Sequence, residues 1–372
     1  MNSGRASRKA RINSVLRAQR TGKRPCSPRR GSRILAVGPR TPRSQPSARA
    51  PAKPGRHVTV TTTAPLPLIA VIATGGTIAS TTTASGATTP SLGADALLEG
   101  ADAPGARLRP VNLMAVDSSS LTLGDMQSIS DEVRRQVEDD EVSAVIVLHG
   151  TDSMEESSLL TDLQLKSSKP VIFTGSQFTA ESEAPDGPAN VAAALAAALD
   201  PANRGRGVLV AFGGRLLKAW GLTKASADRA DAFRSVTDRP ARRLHLPAPV
   251  TGMRVDTVAV MPGGDATHLH ASLEAGVQGI VLVGLGSGNA SQSIVSAAWE
   301  CQASDIPLVV SSRVPFGVLK ASYGGGGGGH DLAVVGAIHA AVLRAGQARI
   351  LLAALLANEA TSEDIAAAFA AE

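Results

Sequence analysis

Short, mostly apolar runs recur along this chain, and several stop at a cluster of glycine and hydroxyl residues. Leu66-Pro67-Leu68-Ile69-Ala70-Val71-Ile72-Ala73 ends at Thr74-Gly75-Gly76-Thr77. Val142–Leu148 ends at His149-Gly150-Thr151-Asp152, and Pro170–Thr174 ends at Gly175-Ser176-Gln177. Runs this short, with no polar face, read as strands buried on both sides. Arg109–Val116 and Gly207–Phe212 complete the set of strands. Between them Asp125–Glu138, Ser157–Leu165 and Ala189–Leu199 carry helical patterns, the first with an acid at its start. Strand-then-helix alternation specifies an open, mostly parallel sheet covered by helices. Such sheets bind ligands outside the carboxyl ends of their strands, so the polar tips are expected to converge on one cleft.

A length of 372 residues suits two domains. Hydrophobic residues make up 43% and aromatics 2%, so the core must be built from Val, Leu, Ile and Ala. Residues 67–235 form the first expected domain, 236–254 a linker, and 255–372 a second α/β domain. In the second, Val255–Met261, Gly279–Val283 and Pro307–Ser311 read as strands. Ser291–Gln302, Val334–Ala345 and Gln347–Leu356 read as helices. The six glycines Gly324–Gly329 read as a flexible surface loop, and residues 80–93, mostly Thr, Ser, Ala, Gly and Pro, as a mobile one long enough to be functional.

The net charge of +5 averages two unlike segments. Residues 1–57 hold 16 of the 37 basic residues and no acid, leaving 21 basic against 32 acidic residues in the remainder. An acidic body argues against a nucleic-acid-binding core, which needs a basic face. Residues 1–66 lack any hydrophobic period and read as a disordered basic extension. The longest apolar run there, Ile34–Val37, falls short of the roughly 7–15 residues of a secretory signal. That composition is also what untranslated GC-rich DNA yields, with Val58 or Val60 as the true start, and we favour this origin. No stretch reaches the ~18 apolar residues of a membrane helix. Cys26 and Cys301 form neither a disulfide framework nor a zinc spacing, which fits a reducing compartment and a cytoplasmic location.

Two polar tips could carry chemistry. In Thr74-Gly75-Gly76-Thr77 a hydroxyl flanked by glycines lets a carbonyl approach the backbone, whose amides can stabilise developing negative charge. Alone, the tetrapeptide is more simply a strand-to-helix turn with a capping Thr. His149-Gly150-Thr151-Asp152-Ser153-Met154-Glu155-Glu156 offers a second hydroxyl beside a carboxylate. Alone, it is equally well a helix start capped by Thr151 or Ser153, with Glu155 and Glu156 favoured by the helix dipole. His149 reads as a structural hydrogen-bonder.

Together, Ile72–Ala79 and His149–Asp152 resemble the two signatures of the bacterial-type L-asparaginase family. The likeness runs from about Leu68 to the C-terminus and is closest in flavour to actinobacterial members, as in Val116-Asp117-Ser118-Ser119 and Leu285–Ala290. Asp186-Gly187-Pro188-Ala189-Asn190 also fits. The resemblance implies a larger N-terminal flavodoxin- or Rossmann-like parallel sheet and a smaller C-terminal α/β domain. It implies hydrolysis of L-asparagine to aspartate and ammonia without a metal or other cofactor. Thr77 would be the nucleophile, and Thr151, Asp152 and Lys224 a supporting triad. Asp152 would also hold the substrate's α-ammonium and Ser118 and Ser119 its α-carboxylate. Ser176 would face the leaving ammonia, and Asn289 would reach a neighbouring subunit's site in a dimer or tetramer. A Thr hydroxyl is a weak nucleophile that needs a base or water relay, and a lysine can serve only in its neutral form. Without the resemblance, Lys224 would read as a solvated helix lysine, with Lys218 as its rival.

The chain departs from the pattern in three places. Many members carry a Tyr in the loop after the first signature, but Gly86-Ala87-Thr88-Thr89-Pro90 has none and the only Tyr is Tyr323. Activation of Thr77 then falls to water, another residue, or Thr88 or Thr89. No counterpart of a partner-supplied glutamate appears in Val314–Gly329, and Ser153 stands where Thr is usual. Two other functions fit less well: a glutaminase-asparaginase, or a catalytically weak amino-acid sensor. A nucleotide-binding module is disfavoured, because Gly284–Asn289 and Thr74–Thr77 lack the full phosphate-loop spacing.

Overall fold

The structure is a computed structural model that describes residues 65–82, 88–90, 93–95, 105–238 and 243–370. The basic extension, its possible start at Val58 or Val60, and Cys26 lie outside these residues. In chain order the strands are β1 (Leu68–Gly75), β2 (Ser80–Thr82), β3 (Thr88–Pro90), β4 (Arg107–Val116), β5 (Val142–Leu148), β6 (Val171–Thr174), β7 (Val208–Phe212) and β8 (Arg215–Lys218). They continue with β9 (Leu222–Lys224), β10 (Phe233–Ser235), β11 (Val255–Ala259), β12 (Gly279–Gly284), β13 (Leu308–Ser312) and β14 (Ile338–His339). The helices are α1 (Leu123–Glu138), α2 (Met154–Gln164), α3 (Gly187–Leu199), α4 (Thr267–Glu274), α5 (Gln292–Ala303), α6 (Gly329–Val334), α7 (Ala345–Ala357) and α8 (Ser362–Phe369).

The larger sheet has the order β4-β1-β5-β6-β7-β8. Its first five strands are mutually parallel, and β8 folds back antiparallel on β7. Every residue of β1 is buried because both faces are covered. Leu68, Ala70 and Ile72 pack with Ile129, Val133 and Val137 of α1, while Ile69 and Val71 pack with Val191, Ala194 and Leu195 of α3. This two-residue alternation is the pleat itself. A capping box starts α1: Asp125 N donates to Thr122 Oγ1, and the Asp125 carboxylate accepts from Thr122 N.

The strand order reverses at β1. The chain passes from β1 to β4 on one side, then returns to β5 on the other. Neighbouring parallel strands whose connections leave in opposite directions open a crevice at their carboxyl ends. Here those ends are Gly75-Gly76-Thr77 and His149-Gly150-Thr151, side by side, with Thr74 Oγ1 donating to Leu148 O at 3.0 Å.

The smaller sheet, β11-β12-β13-β14, is parallel throughout. One face carries α4 and α5, through Leu269, Ile294 and Ala298. The other faces α7, whose Ile350, Leu351 and Leu355 share a core with Leu159, Leu160 and Leu163 of α2. Two α/β domains with a larger and a smaller sheet are therefore the architecture, as the sequence implied. No helix among the described residues is long and apolar enough to cross a membrane.

Three expectations are corrected. Val334–Ala345 is not a helix: α6 ends at Val334, Gly336 turns the chain with φ +95°, and Ile338–His339 pair with β13. The six-glycine run is not a loose loop throughout. Asp331 accepts the amides of Gly326 and Gly328, and Gly329 opens α6. Within 80–93, Ser80–Thr82 and Thr88–Pro90 pair as an antiparallel ladder, whereas 83–87 and 91–92 lie outside the described residues. The side chains of Thr88 and Thr89 also lie outside the description, so their expected part in activating Thr77 has no geometry here.

Candidate active site

Two glycines set the first tip. Gly75 (φ +102°) and Gly76 (φ +81°) hold backbone angles that side chains rarely adopt. A Cβ on Gly75 would stand 2.4 Å from Val116 O, and one on Gly76 would stand 2.2 Å from Gly150 Cα. The first tip thus meets the ends of both neighbours, β4 and β5, through close main-chain contacts at Gly75 and Gly76. The turn Thr77–Ala79 follows, with Ser80 Oγ donating to Gly76 O at 2.8 Å. Among the described residues, nothing hydrogen-bonds the Thr77 hydroxyl.

The second tip is fixed from below and from the side. His149 is buried, with Nδ1 2.7 Å from Gly150 O and Nε2 2.9 Å from Ser157 Oγ. Burial pushes its pKa down to about 4, so the ring is neutral and structural, as the sequence suggested. Ser118 ties this tip to the end of β4: its Oγ accepts from Asp152 N at 3.1 Å, and its carbonyl accepts from Ser153 Oγ at 2.7 Å. Ser153 stands at the N-cap of α2 with Glu155 and Glu156 in its first turn, as the helix-start alternative has it, but its side chain makes no capping hydrogen bond.

Lys224 comes from β9, not from a helix. Its Nζ donates to Thr151 Oγ1 at 2.8 Å and to Asp152 Oδ1 at 2.6 Å. The lysine side chain is 20% exposed and the Asp152 side chain 54%. Lys218, the rival, is exposed on the edge strand β8 opposite Leu209, in the first half of β7. It is therefore remote from the carboxyl ends of the strands.

A cleft of about 310 Å3 opens between these groups, lined by Thr77, Ser118, Thr151, Asp152 and Lys224. Its size, at the small end of ligand sites, suits a small polar molecule. Three other candidates are not in the lining. Ser119 is exposed and gives its amide to Asp117 Oδ1. Ser176 is buried behind Gln177, its Oγ without a partner. Asn289 lies at the tip of the smaller sheet, where its Oδ1 accepts from Gly329 N. Sequence reasoning missed Ser80, Asp117 and Gln177, which do line the cleft. Gln177 had a signal, since it follows a strand tip. Asp186 holds that loop by accepting the amides of Gln177 and Phe178.

Chemically the cleft offers a hydroxyl that no described residue hydrogen-bonds, a hydroxyl hydrogen-bonded to Lys224 Nζ, and a half-exposed carboxylate. The amides of Thr77 and Thr151 find no acceptor among the described residues. Thr77 opens a three-residue turn, and Thr151 lies just before the N-cap of α2. No group of His, Cys, Asp and Glu that could hold a metal ion occurs among the described residues.

This fold and cleft define a two-domain α/β protein with a hydroxyl-lined site at the switch point of its larger sheet. Residues 68–248 match the family described as "Asparaginase, N-terminal", and residues 254–369 match "Glutaminase/Asparaginase C-terminal domain". The chain belongs to the asparaginase family. It is 35% identical to the probable L-asparaginase of Deinococcus radiodurans, over 82% of this chain and 98% of that protein. The L-asparaginase of Bacillus licheniformis is 27% identical, over 78% and 95%. The crystal structure of a probable cytoplasmic L-asparaginase from Campylobacter jejuni aligns with a TM-score of 0.71 at 25% identity, over 82% of this chain and 99% of that one.

Proposed function

We propose that this protein hydrolyses L-asparagine to L-aspartate and ammonia through an ester on Thr77. The carrying observation is that Thr77 and Thr151 line one cleft while Lys224 reaches Thr151. The Thr77 oxygen attacks the side-chain carbonyl carbon, and the amides of Thr77 and Thr151 receive the oxyanion. In known cases one such donor contributes about 3–4 kcal/mol. The C–N bond then breaks, the nitrogen leaves as ammonia with the proton from Thr77, and water cleaves the ester. Thr151 and Lys224 relay the proton. Asp152 gives one oxygen to Lys224, which leaves Oδ2 for the substrate's α-ammonium, and Ser118 meets the α-carboxylate. Ser119, Ser176 and Asn289 act in this scheme from outside the cleft wall. Ser119 and Ser176 move onto bound substrate, and Asn289 serves a second subunit's cleft.

A homo-oligomer, dimer or tetramer, follows from that role for Asn289. The domain division at 67–235 and 255–372 is supported by the break between the two matched families, after residue 248. A cytoplasmic location is supported by the Campylobacter relative's description. Ammonia release from purified protein with L-asparagine and with L-glutamine tests the function. Turnover of asparagine is expected. Tight asparagine binding without ammonia would identify a sensor, and faster glutamine turnover a glutaminase-asparaginase.

A further inference from the structure

Beneath the cleft lies a second group of polar residues that the proposed reaction does not use. Glu155 is in the first turn of α2, three residues after Asp152 and four after Thr151. Its Oε2 accepts the main-chain N–H of Lys224 at 2.5 Å, and its carboxylate also hydrogen-bonds the side chain of Thr223. The same helix start therefore supplies Thr151 and Asp152 to the lysine's ammonium and Glu155 to the lysine's backbone. Gln347 of α7, fully buried, braces this joint from the smaller domain. Its Nε2 donates to Glu155 O at 2.9 Å and to Ala219 O at 2.6 Å, and its Oε1 accepts from Gly221 N at 2.8 Å. The approach to β9 and the start of α2 are thus tied to one amide side chain.

Glu156 stands beside Glu155 in the same buried space. A Cβ on Gly346 would lie 2.0 Å from Glu156 Oε1 and 3.3 Å from Glu155 Oε1, so only glycine leaves room for the pair. Lys224 and Thr223 from β9, Arg349 from α7 and Asp152 are the other groups acting on these carboxyls. Glu156 Oε2 has no partner.

We propose that Glu155 is a positioning residue of the site: its carboxylate clamps the main chain of Lys224 to the helix start that carries Thr151 and Asp152. A lone main-chain bond would matter little on a long strand. However, β9 is three residues long and pairs only with the equally short β10, so its ladder cannot fix the lysine by itself. Burial raises Glu155, and burial and then Glu155 push Glu156 up to about 8.

The clamp rests on the asparaginase function proposed above, and its test separates the two. Glu155→Ala, Glu155→Gln and wild type are compared by kcat, KM and hydrogen exchange of the peptide containing Lys224. Glu155 does not touch the substrate, so Glu155→Ala is expected to lower kcat on the order of 100-fold, as a misplaced group does, with KM nearly unchanged. Exchange at Lys224 should accelerate. Glu155→Gln keeps an acceptor oxygen in the same place and should recover most of kcat and of the exchange protection. Unchanged exchange in Glu155→Ala, a loss carried by KM, or no recovery in Glu155→Gln would overturn the clamp. If wild type released no ammonia, the function would fall, and hydrogen exchange would still decide the clamp.

Discussion

Replacing Gly76 by alanine tests whether the two strand tips hold the site together by main-chain contact. The new Cβ would stand 2.2 Å from Gly150 Cα and 2.5 Å from Gly150 N, both backbone atoms that cannot rotate away. The backbone term alone, for a side chain at φ +81° and ψ −175°, is about 1–3 kcal/mol. Forcing a methyl into packed surroundings adds about 1–3 kcal/mol. The total is roughly 2–6 kcal/mol, and the shift that relieves the clash moves Thr77 away from Thr151. A displacement near 1 Å at a reacting group costs about 100-fold in rate. Gly105→Ala is the control, because Gly105 has φ +91° and nothing within 4 Å. It carries only the left-handed penalty of about 1–2 kcal/mol. Urea unfolding midpoints and ammonia release would be measured for both. If Gly76→Ala matched Gly105→Ala in stability and kept wild-type turnover, contact between the tips could not be what organises the cleft.

Three further outcomes are expected. Lys224→Met should cut kcat by roughly 100- to 10,000-fold, the range of positioned acid–base groups, whereas Lys218→Met on the exposed edge strand should leave turnover unchanged. The raised pKa of Glu156 has a signed consequence for stability. The folded chain holds a proton between the ordinary carboxyl value of 4.5 and about 8, so this stabilisation is complete below 4.5 and is lost as pH rises through about 8. Urea midpoints of wild type should therefore fall over that window by up to ~1.4 kcal/mol per pH unit, and Glu156→Gln should remove this contribution. Cys301 is buried, with its thiol pushed up to about 11 by burial and by Glu300, so it should resist thiol reagents until the chain unfolds, as read by mass spectrometry of labelled peptides.

The larger sheet was legible because its central strands are buried on both faces. β1 carries a long apolar run and β5 one broken only by Ser143, and their tips change abruptly to glycine and hydroxyl residues. Such contrast survives without any alignment. Local pattern alone would have made Lys224 a solvated helix lysine for the opposite reason: a three-residue strand has no period to detect. Val334–Ala345 misled because an Ala- and Val-rich segment fits a buried helix or a strand equally well until Gly336 is seen to turn. Glu155 and Glu156 looked like ordinary first-turn acids. What buries them is Gly346 and its neighbours on α7, 190 residues further along, and no local pattern carries that information. The loss of Ser119, Ser176 and Asn289 from the cleft wall has the same origin, since a motif fixes which loop a residue sits on but not which way that loop faces.

The decisive measurement is peptide mass spectrometry of enzyme quenched during asparagine turnover, run on wild type, Thr77→Ala and Thr151→Ala. An aspartyl ester should sit on the Thr77 peptide of the wild type and be absent from Thr77→Ala, which should also release no ammonia. An ester on Thr151, or undiminished ammonia release by Thr77→Ala, would contradict the assignment of Thr77 as nucleophile.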